Sequence, residues 1–152
     1  MDQVEALITA VKEAKNGGNI VVVTGKPGSG KSKILREASA QEKWVYVDCK
    51  ELITEEFLSV TAADRGLYGP DMFLEHLKKY DSDTIVLDGL QTFFVPVFHI
   101  NTDSMLRKLS KAMTIVTAWP GTLTEGMLCY DKFDGTEALR ISPDGFKIFN
   151  VQ

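Results

Sequence analysis

The chain is poor in the residues that define several classes of protein. Its 152 residues include two cysteines, Cys49 and Cys129. They have neither CxxC spacing nor neighbouring histidines of ligand type. This argues against a disulfide framework or a zinc site, and both are expected to be reduced thiols in a reducing compartment. The two histidines, His76 and His99, have no partner pattern and receive no role. Arginine is scarce too: Arg36, Arg65, Arg107 and Arg140 are the full set, and no arginine-rich segment exists. The formal net charge of -4 argues against a standing basic footprint for nucleic acid and leaves only a local patch for such contact. No apolar run approaches about 18 residues, so no membrane span is expected. The acidic, amphipathic N-terminus is unlike a signal peptide. Repeats, low-complexity stretches and linkers are missing, so residues 1–152 are expected to form one domain. With 44% hydrophobic and 25% charged residues, the composition is that of an ordinary globular chain long enough for a real core.

What is present is periodicity. Val4, Leu7, Ile8 and Val11 recur at helical spacing, which predicts a helix from about Asp2 to Lys15, ended by Gly17-Gly18. Four continuous apolar runs, "NIVVVTG" (19–25), "WVYVDC" (44–49), "TIVLDG" (84–89) and "TIVTAW" (114–119), suit strands buried on both faces of a parallel sheet. Helical patterns fall between them at about Lys31–Gln41, Lys50–Val60, Asp71–Tyr80 (opened by a Gly69-Pro70 turn) and Thr102–Lys111. Such alternation predicts an α/β sandwich with right-handed crossovers. The tail departs from it. "EALRI" and "FKIFNV" flank the turn signal "SPDG", which predicts a short C-terminal hairpin.

One stretch carries chemistry. Gly25-Lys26-Pro27-Gly28-Ser29-Gly30-Lys31-Ser32 fits GxxxxGK[ST], the Walker A pattern of P-loop nucleotide-binding proteins. A polyphosphate needs many converging N–H donors, and bulky side chains would block the approach. Glycines remove Cβ and permit left-handed dihedrals, so the loop can wrap an anion as a nest. The helix that follows aims its N-terminal dipole at the phosphate. Lys31 would bridge the β- and γ-phosphates of ATP, and Ser32 would ligate Mg²⁺. The side chains of Lys26, Ser29 and Lys33 are read as loop or solvated groups, with direct phosphate contact as the alternative. The match sits between a predicted strand and a predicted helix, the context it requires.

A P-loop also needs a carboxylate at the end of a neighbouring strand to hold magnesium through water. Asp88 in "TIVLDG" is the candidate, with a plain turn aspartate as the alternative. Many ring-forming P-loop ATPases place a water-activating glutamate next. Here that place is Gly89, and Gln91 stands two further on, able to orient a water but a poor base. Asp48, ending another apolar strand with Glu51 behind it, is a substitute base or a capping residue. Thr117 in "TIVTAW" is a candidate γ-phosphate sensor or a packed strand threonine. Trp119 is a packing residue or an adenine stacker. Arg140 ranks first among the arginines as a transition-state finger supplied to a neighbouring subunit, with a structural or solvated arginine as the default.

The Walker A loop, "IVLDGLQTFF", and "TAWPG" with a downstream tyrosine and arginine together resemble the BrxF family, small P-loop proteins of type 3 BREX bacteriophage-exclusion systems. The resemblance covers nearly the whole chain; its weight falls on the "AWPG" turn and the tail. It implies a bacterial, cytoplasmic, ATPase-like component that acts with a larger ATPase, a DNA methyltransferase and an alkaline-phosphatase-like protein, so that any DNA contact is indirect. Walker A and Asp88 carry over position by position. The family pattern favours an acidic residue after Asp88, where this chain has Gln91.

The expected architecture is a single P-loop NTPase sandwich with strand order 5-1-4-3-2, similar to an AAA+ core without its helical lid. A nucleotide would then be partly open unless a second copy or a larger ATPase covered it. Two other functions compete with slow ATP hydrolysis: a non-hydrolysing ATP-binding switch or scaffold, and a small-molecule kinase, which would need a lid to exclude water.

Overall fold

The computed structural model describes residues 2–131 and 137–151, with residues 137 and 138 described by their backbone alone. Residues 132–136, part of the tail that carries the family resemblance, lie outside this set.

The four apolar runs are strands: β1 (Ile20–Thr24), β2 (Val45–Asp48), β3 (Thr84–Asp88) and β4 (Thr114–Ala118). Three further strands, β5 (Thr122–Thr124), β6 (Met127–Asp131) and β7 (Glu137–Ile141), precede a last one, β8 (Lys147–Asn150). The main sheet runs β2-β3-β4-β1-β8 and its pairings are all parallel. This is the expected order 5-1-4-3-2, with β8 as the fifth strand.

Alternation along the strands divides the core into two layers. Val21, Val23, Val86, Val116 and Ala118 face one side, where α1 (Gln3–Ala14) brings Val4, Leu7 and Val11 and α2 (Lys31–Glu42) brings Ile34, Leu35 and Ala38. Ile20, Val22, Ile85, Leu87 and Ile115 face the other. They meet Phe57 of α3 (Glu55–Ser59), Phe73 and Leu77 of α4 (Arg65–Lys78), and Met105, Leu106 and Leu109 of α5 (Thr102–Ser110). A strand flanked by helices on both faces is largely apolar, which is why β1 and β4 read as near-continuous runs, and the buried Thr117 hydroxyl of β4 is hydrogen-bonded to the Leu87 carbonyl. Phe57, Phe73 and Phe93 stack in sequence, with centroids 5.1 and 5.2 Å apart, and anchor the second layer.

The tail is arranged differently from the expectation. An antiparallel hairpin sheet is present, but it consists of β5-β6-β7. The "SPDG" turn does not fold β8 back on β7. It passes β8 to the main sheet, where Val21–Thr24 pair with Lys147–Asn150. The hairpin that does form turns at Glu125-Gly126, both at positive φ (52° and 77°), as a tight two-residue connection requires.

Two helical expectations also change. The 50–60 pattern splits into a 3₁₀ turn (Cys49–Leu52) and α3, which starts afresh where the Thr54 hydroxyl accepts from Phe57 N–H. Gly69-Pro70 does not open a helix but lies inside α4. Pro70 lacks the N–H that would reach back one turn. The entry to α4 is held instead by Arg65, whose guanidinium donates to the carbonyls of Val60, Leu58 and Val97. Among the described residues no helix is long and apolar enough to cross a membrane.

Candidate functional site: a phosphate-type loop facing Asp88

The site is built where β1 leaves the sheet. Thr24 ends the strand, and residues 25–30 form the loop before α2 begins at Lys31. Gly28 and Gly30 adopt φ of 79° and 91°, which an L side chain rarely does, and a Cβ at either would meet nothing within 4 Å. The glycines are thus needed for the turn and leave the loop's face open. Gly30 is the N-cap of α2 and offers no side chain to cap it, and the first turn of α2 contains no acid. The free N–H groups and the positive end of the dipole are left to an external anion.

Lys31 adds a cation. Its ammonium folds back onto the loop and donates to the Gly25 carbonyl at 2.8 Å and, more weakly, to that of Lys26 at 3.4 Å. Ser29 Oγ is buried and has no hydrogen-bond partner among the described residues. The Lys26 and Lys33 side chains are exposed, as solvated groups would be.

The carboxylate expected across the sheet is in place. Asp88 ends β3, and its Oδ2 accepts from Ser32 Oγ at 3.0 Å, across 56 positions of chain. Its Oδ1 accepts from Gly89 N–H at 3.0 Å. The Tyr46 hydroxyl donates to Oδ2 as well. Burial, together with this bond to Asp88, pushes the Tyr46 phenol up to about 12. Arg36 of α2 lies over the Tyr46 ring, 5.3 Å from its centroid. Tyr46 was not singled out in the sequence. Its only signal is its place two residues before Asp48 on one strand, which puts both on the same face.

Asp48 stands beside this cluster. It is the register partner of Asp88 on the adjacent strand. A Cβ on Gly89 (φ 85°) would lie 3.6 Å from Asp48 Oδ1. The same oxygen accepts from Lys50 N–H at 2.9 Å and caps the 3₁₀ turn, so the capping alternative is realised. Glu51 faces elsewhere: it accepts from the Tyr80 hydroxyl and pairs with His76 Nε2 at 2.8 Å. Gln91 is exposed, in a 3₁₀ segment (Leu90–Phe94) after Asp88.

Other candidates are not brought to the loop. Thr117 is fully buried on the face of Ile115 and Leu87, and its hydroxyl donates to the Leu87 carbonyl at 2.7 Å. Trp119 is also fully buried, and its indole N–H donates to the Cys129 carbonyl at 2.8 Å. It joins β4 to the hairpin sheet as a packing residue. Arg140, opposite Cys129 on β7, lines a separate cavity of about 490 Å³ at the start of α5.

The donor set fits the groups that a P-loop implies. The loop is an open cradle with an orphaned hydroxyl, an uncapped helix and a cation. Ser32 and Asp88 offer converging oxygens of the kind Mg²⁺ takes when phosphates and water complete its shell. Among the described residues no group of three or more His, Cys, Asp or Glu could hold a metal by itself.

Neither a protein-family model nor a curated protein matches the chain. Among solved structures it is similar to a DNA replication initiation factor, at 19% identity and a TM-score of 0.45, over 97% of this chain and 45% of that one. It is also similar to PCH-2 of C. elegans, at 12% identity and a TM-score of 0.44, over 97% and 41%. The chain spans less than half the length of either structure.

Proposed function

We propose that the chain is an ATP-binding, magnesium-dependent P-loop protein with slow intrinsic hydrolysis. The observation that carries this reading is the convergence of the uncapped α2 N-terminus, Lys31 and the Ser32–Asp88 contact on one open loop. Backbone N–H groups of the loop and α2 would hold the phosphates. Lys31 would exchange its Gly25 carbonyl for phosphate oxygen. Ser32 and Asp88 would hold Mg²⁺, which, when bound, neutralises charge on the phosphates.

For hydrolysis, Asp48 Oδ1 lies 3.6 Å from where a Cβ would stand at Gly89, the place of the usual glutamate. It would accept the proton of the attacking water while Gln91 orients it. A switch-like, non-hydrolysing subunit is the second reading. It is favoured by Gly89, by the exposed position of Gln91, and by the capping bond that already engages Asp48. Arg140 would act only across an interface with a second copy.

The resemblance to the BrxF family supports a place in a bacterial BREX defence system, in the cytoplasm, beside a larger ATPase, a methyltransferase and a phosphatase-like protein. Calorimetric titration with Mg·ATP tests the core of this reading. Lys31→Ala should bind about 10- to 100-fold more weakly than the wild type, the worth of charge-assisted bonds. Equal affinity would remove the loop from nucleotide binding. Single-turnover assays separate slow hydrolysis from none. Co-purification with neighbouring gene products, and phage plating on a deletion strain, test the defence role.

A further inference from the structure

The P-loop opens sideways into a cavity of about 980 Å³ that phosphate chemistry does not explain. One wall is the outer rim of the loop, from Gly25 to Ser29. The opposite wall is β5, and the floor is Thr24, Asn150 and Val151. We infer that this cavity receives the ribose and base of the nucleotide, so that the hairpin sheet supplies the nucleoside wall. This rests on the reading of the loop as a nucleotide site.

The lining argues for a neutral, flat guest. Among the described lining residues the one charged side chain is Lys26, and none is an acid. Lys31 and the other residues of α2 are not among the lining residues. Pro27, Leu123 and Val151 give apolar surface, while Thr122, Thr124 and Asn150 give neutral donors and acceptors. A pocket that is largely apolar with a few placed polar groups suits an organic ligand, and the volume lies at the upper end of the roughly 300–1,000 Å³ usual for one. Leu123 is the telling residue. It is 41% exposed on a three-residue strand whose side chains are all exposed, and it borders this cavity.

The floor is rigidly tied to the loop. Val151 N–H donates to the Thr24 carbonyl at 2.8 Å, and a Cβ on Gly25 would lie 3.2 Å from the Val151 carbonyl oxygen. Thr24 Oγ1 donates to Asn150 Oδ1 at 3.0 Å, which leaves the Asn150 NH₂ to donate to a ribose or base. Because β8 pairs with β1, the floor of the cavity and the phosphate loop form one unit.

The test compares ATP with inorganic tripolyphosphate, both with Mg²⁺, by calorimetry on the wild type and on Leu123→Asp. The expected result has two parts. Wild type binds ATP more tightly than tripolyphosphate. Leu123→Asp loses roughly tenfold in ATP affinity, as loss of a buried apolar contact does, and keeps its tripolyphosphate affinity. Retained tripolyphosphate binding also shows that the variant is folded. Unchanged ATP affinity in Leu123→Asp overturns the inference. So does equal loss for both ligands, or a wild type that binds ATP no better than tripolyphosphate; in that last case the phosphate loop stands without a nucleoside wall. A wild type that binds neither ligand overturns both the inference and the reading beneath it.

Discussion

Ser32 and Asp88 are 56 positions apart in sequence, yet the Ser32 hydroxyl donates to the Asp88 carboxylate at 3.0 Å. One opens α2 after β1, and the other closes β3, so the contact spans the sheet past β4. Two oxygens on separate elements are thus already in contact, and in the proposed function both would turn to one hard cation.

Asp88→Asn should therefore remove magnesium dependence while leaving the loop intact. The ratio of ATP affinity with and without Mg²⁺ is expected to fall by about tenfold or more. Binding in EDTA should change little. A magnesium titration that matches the wild type would take Asp88 out of the site.

The loop and three of the central strands were legible because their information is local. A glycine pattern between an apolar run and a helix carries its own geometry, and a strand buried on both faces cannot disguise its composition. Asp88 was legible for the same reason. What failed to show was what depends on partners. "SPDG" signals a change of direction, but not whether the chain returns to β7 or travels to β1. Gly69-Pro70 reads as a turn, and only the Arg65 bonds to the carbonyls of Leu58, Val60 and the distant Val97 show how a helix can begin before it. Tyr46 was invisible because its importance lies in its neighbour across a strand, not in its spacing.

Tyr46 gives a pH dependence with a definite sign. Its phenol holds its proton more tightly in the native state, up to about 12, than the ordinary value of 10 allows in the unfolded chain. Its contribution to stability is whole below pH 10 and is lost as pH rises from about 10 to 12. Denaturant unfolding of Tyr46→Phe should therefore show a shallower loss across that interval than the wild type. Parallel pH profiles would show that neither burial nor the bond to Asp88 raises the phenol in the native state.

Trp119 joins the main sheet to the hairpin sheet. The ring packs 5.5 Å from Phe94, and its N–H meets the Cys129 carbonyl. Trp119→Ala should lower stability by about 3–5 kcal/mol, the cost of emptying a large buried site. Trp119→Phe should lose less, about 0.5–1.5 kcal/mol, the net worth of the lost indole hydrogen bond to Cys129. Equilibrium unfolding in urea checks both. Near-wild-type stability of Trp119→Ala would mean that the two sheets hold together without it.

In the proposed function Asp48 would serve as the base for hydrolysis, and that role can be tested directly. Asp48 is in register with Asp88, and Gly89 keeps a Cβ out of the space beside it. A carboxylate there can take a proton from water, whereas Gln91 can only orient one. Wild-type hydrolysis is expected to fall well below the roughly 1–10³ s⁻¹ of ordinary enzymes, because Asp48 is shared with the Lys50 N–H. Asp48→Asn should lower the single-turnover rate about 100-fold or more, the lower range for loss of a general base. The amide oxygen can still accept from Lys50, so ATP affinity and stability should hold. If Asp48→Asn hydrolyses at the wild-type rate while Gln91→Glu is faster, the water lies on the Gln91 side. If no variant and no wild-type sample hydrolyses ATP, yet all bind it with Mg²⁺, the chain is a switch, and Asp48 serves the 3₁₀ turn alone.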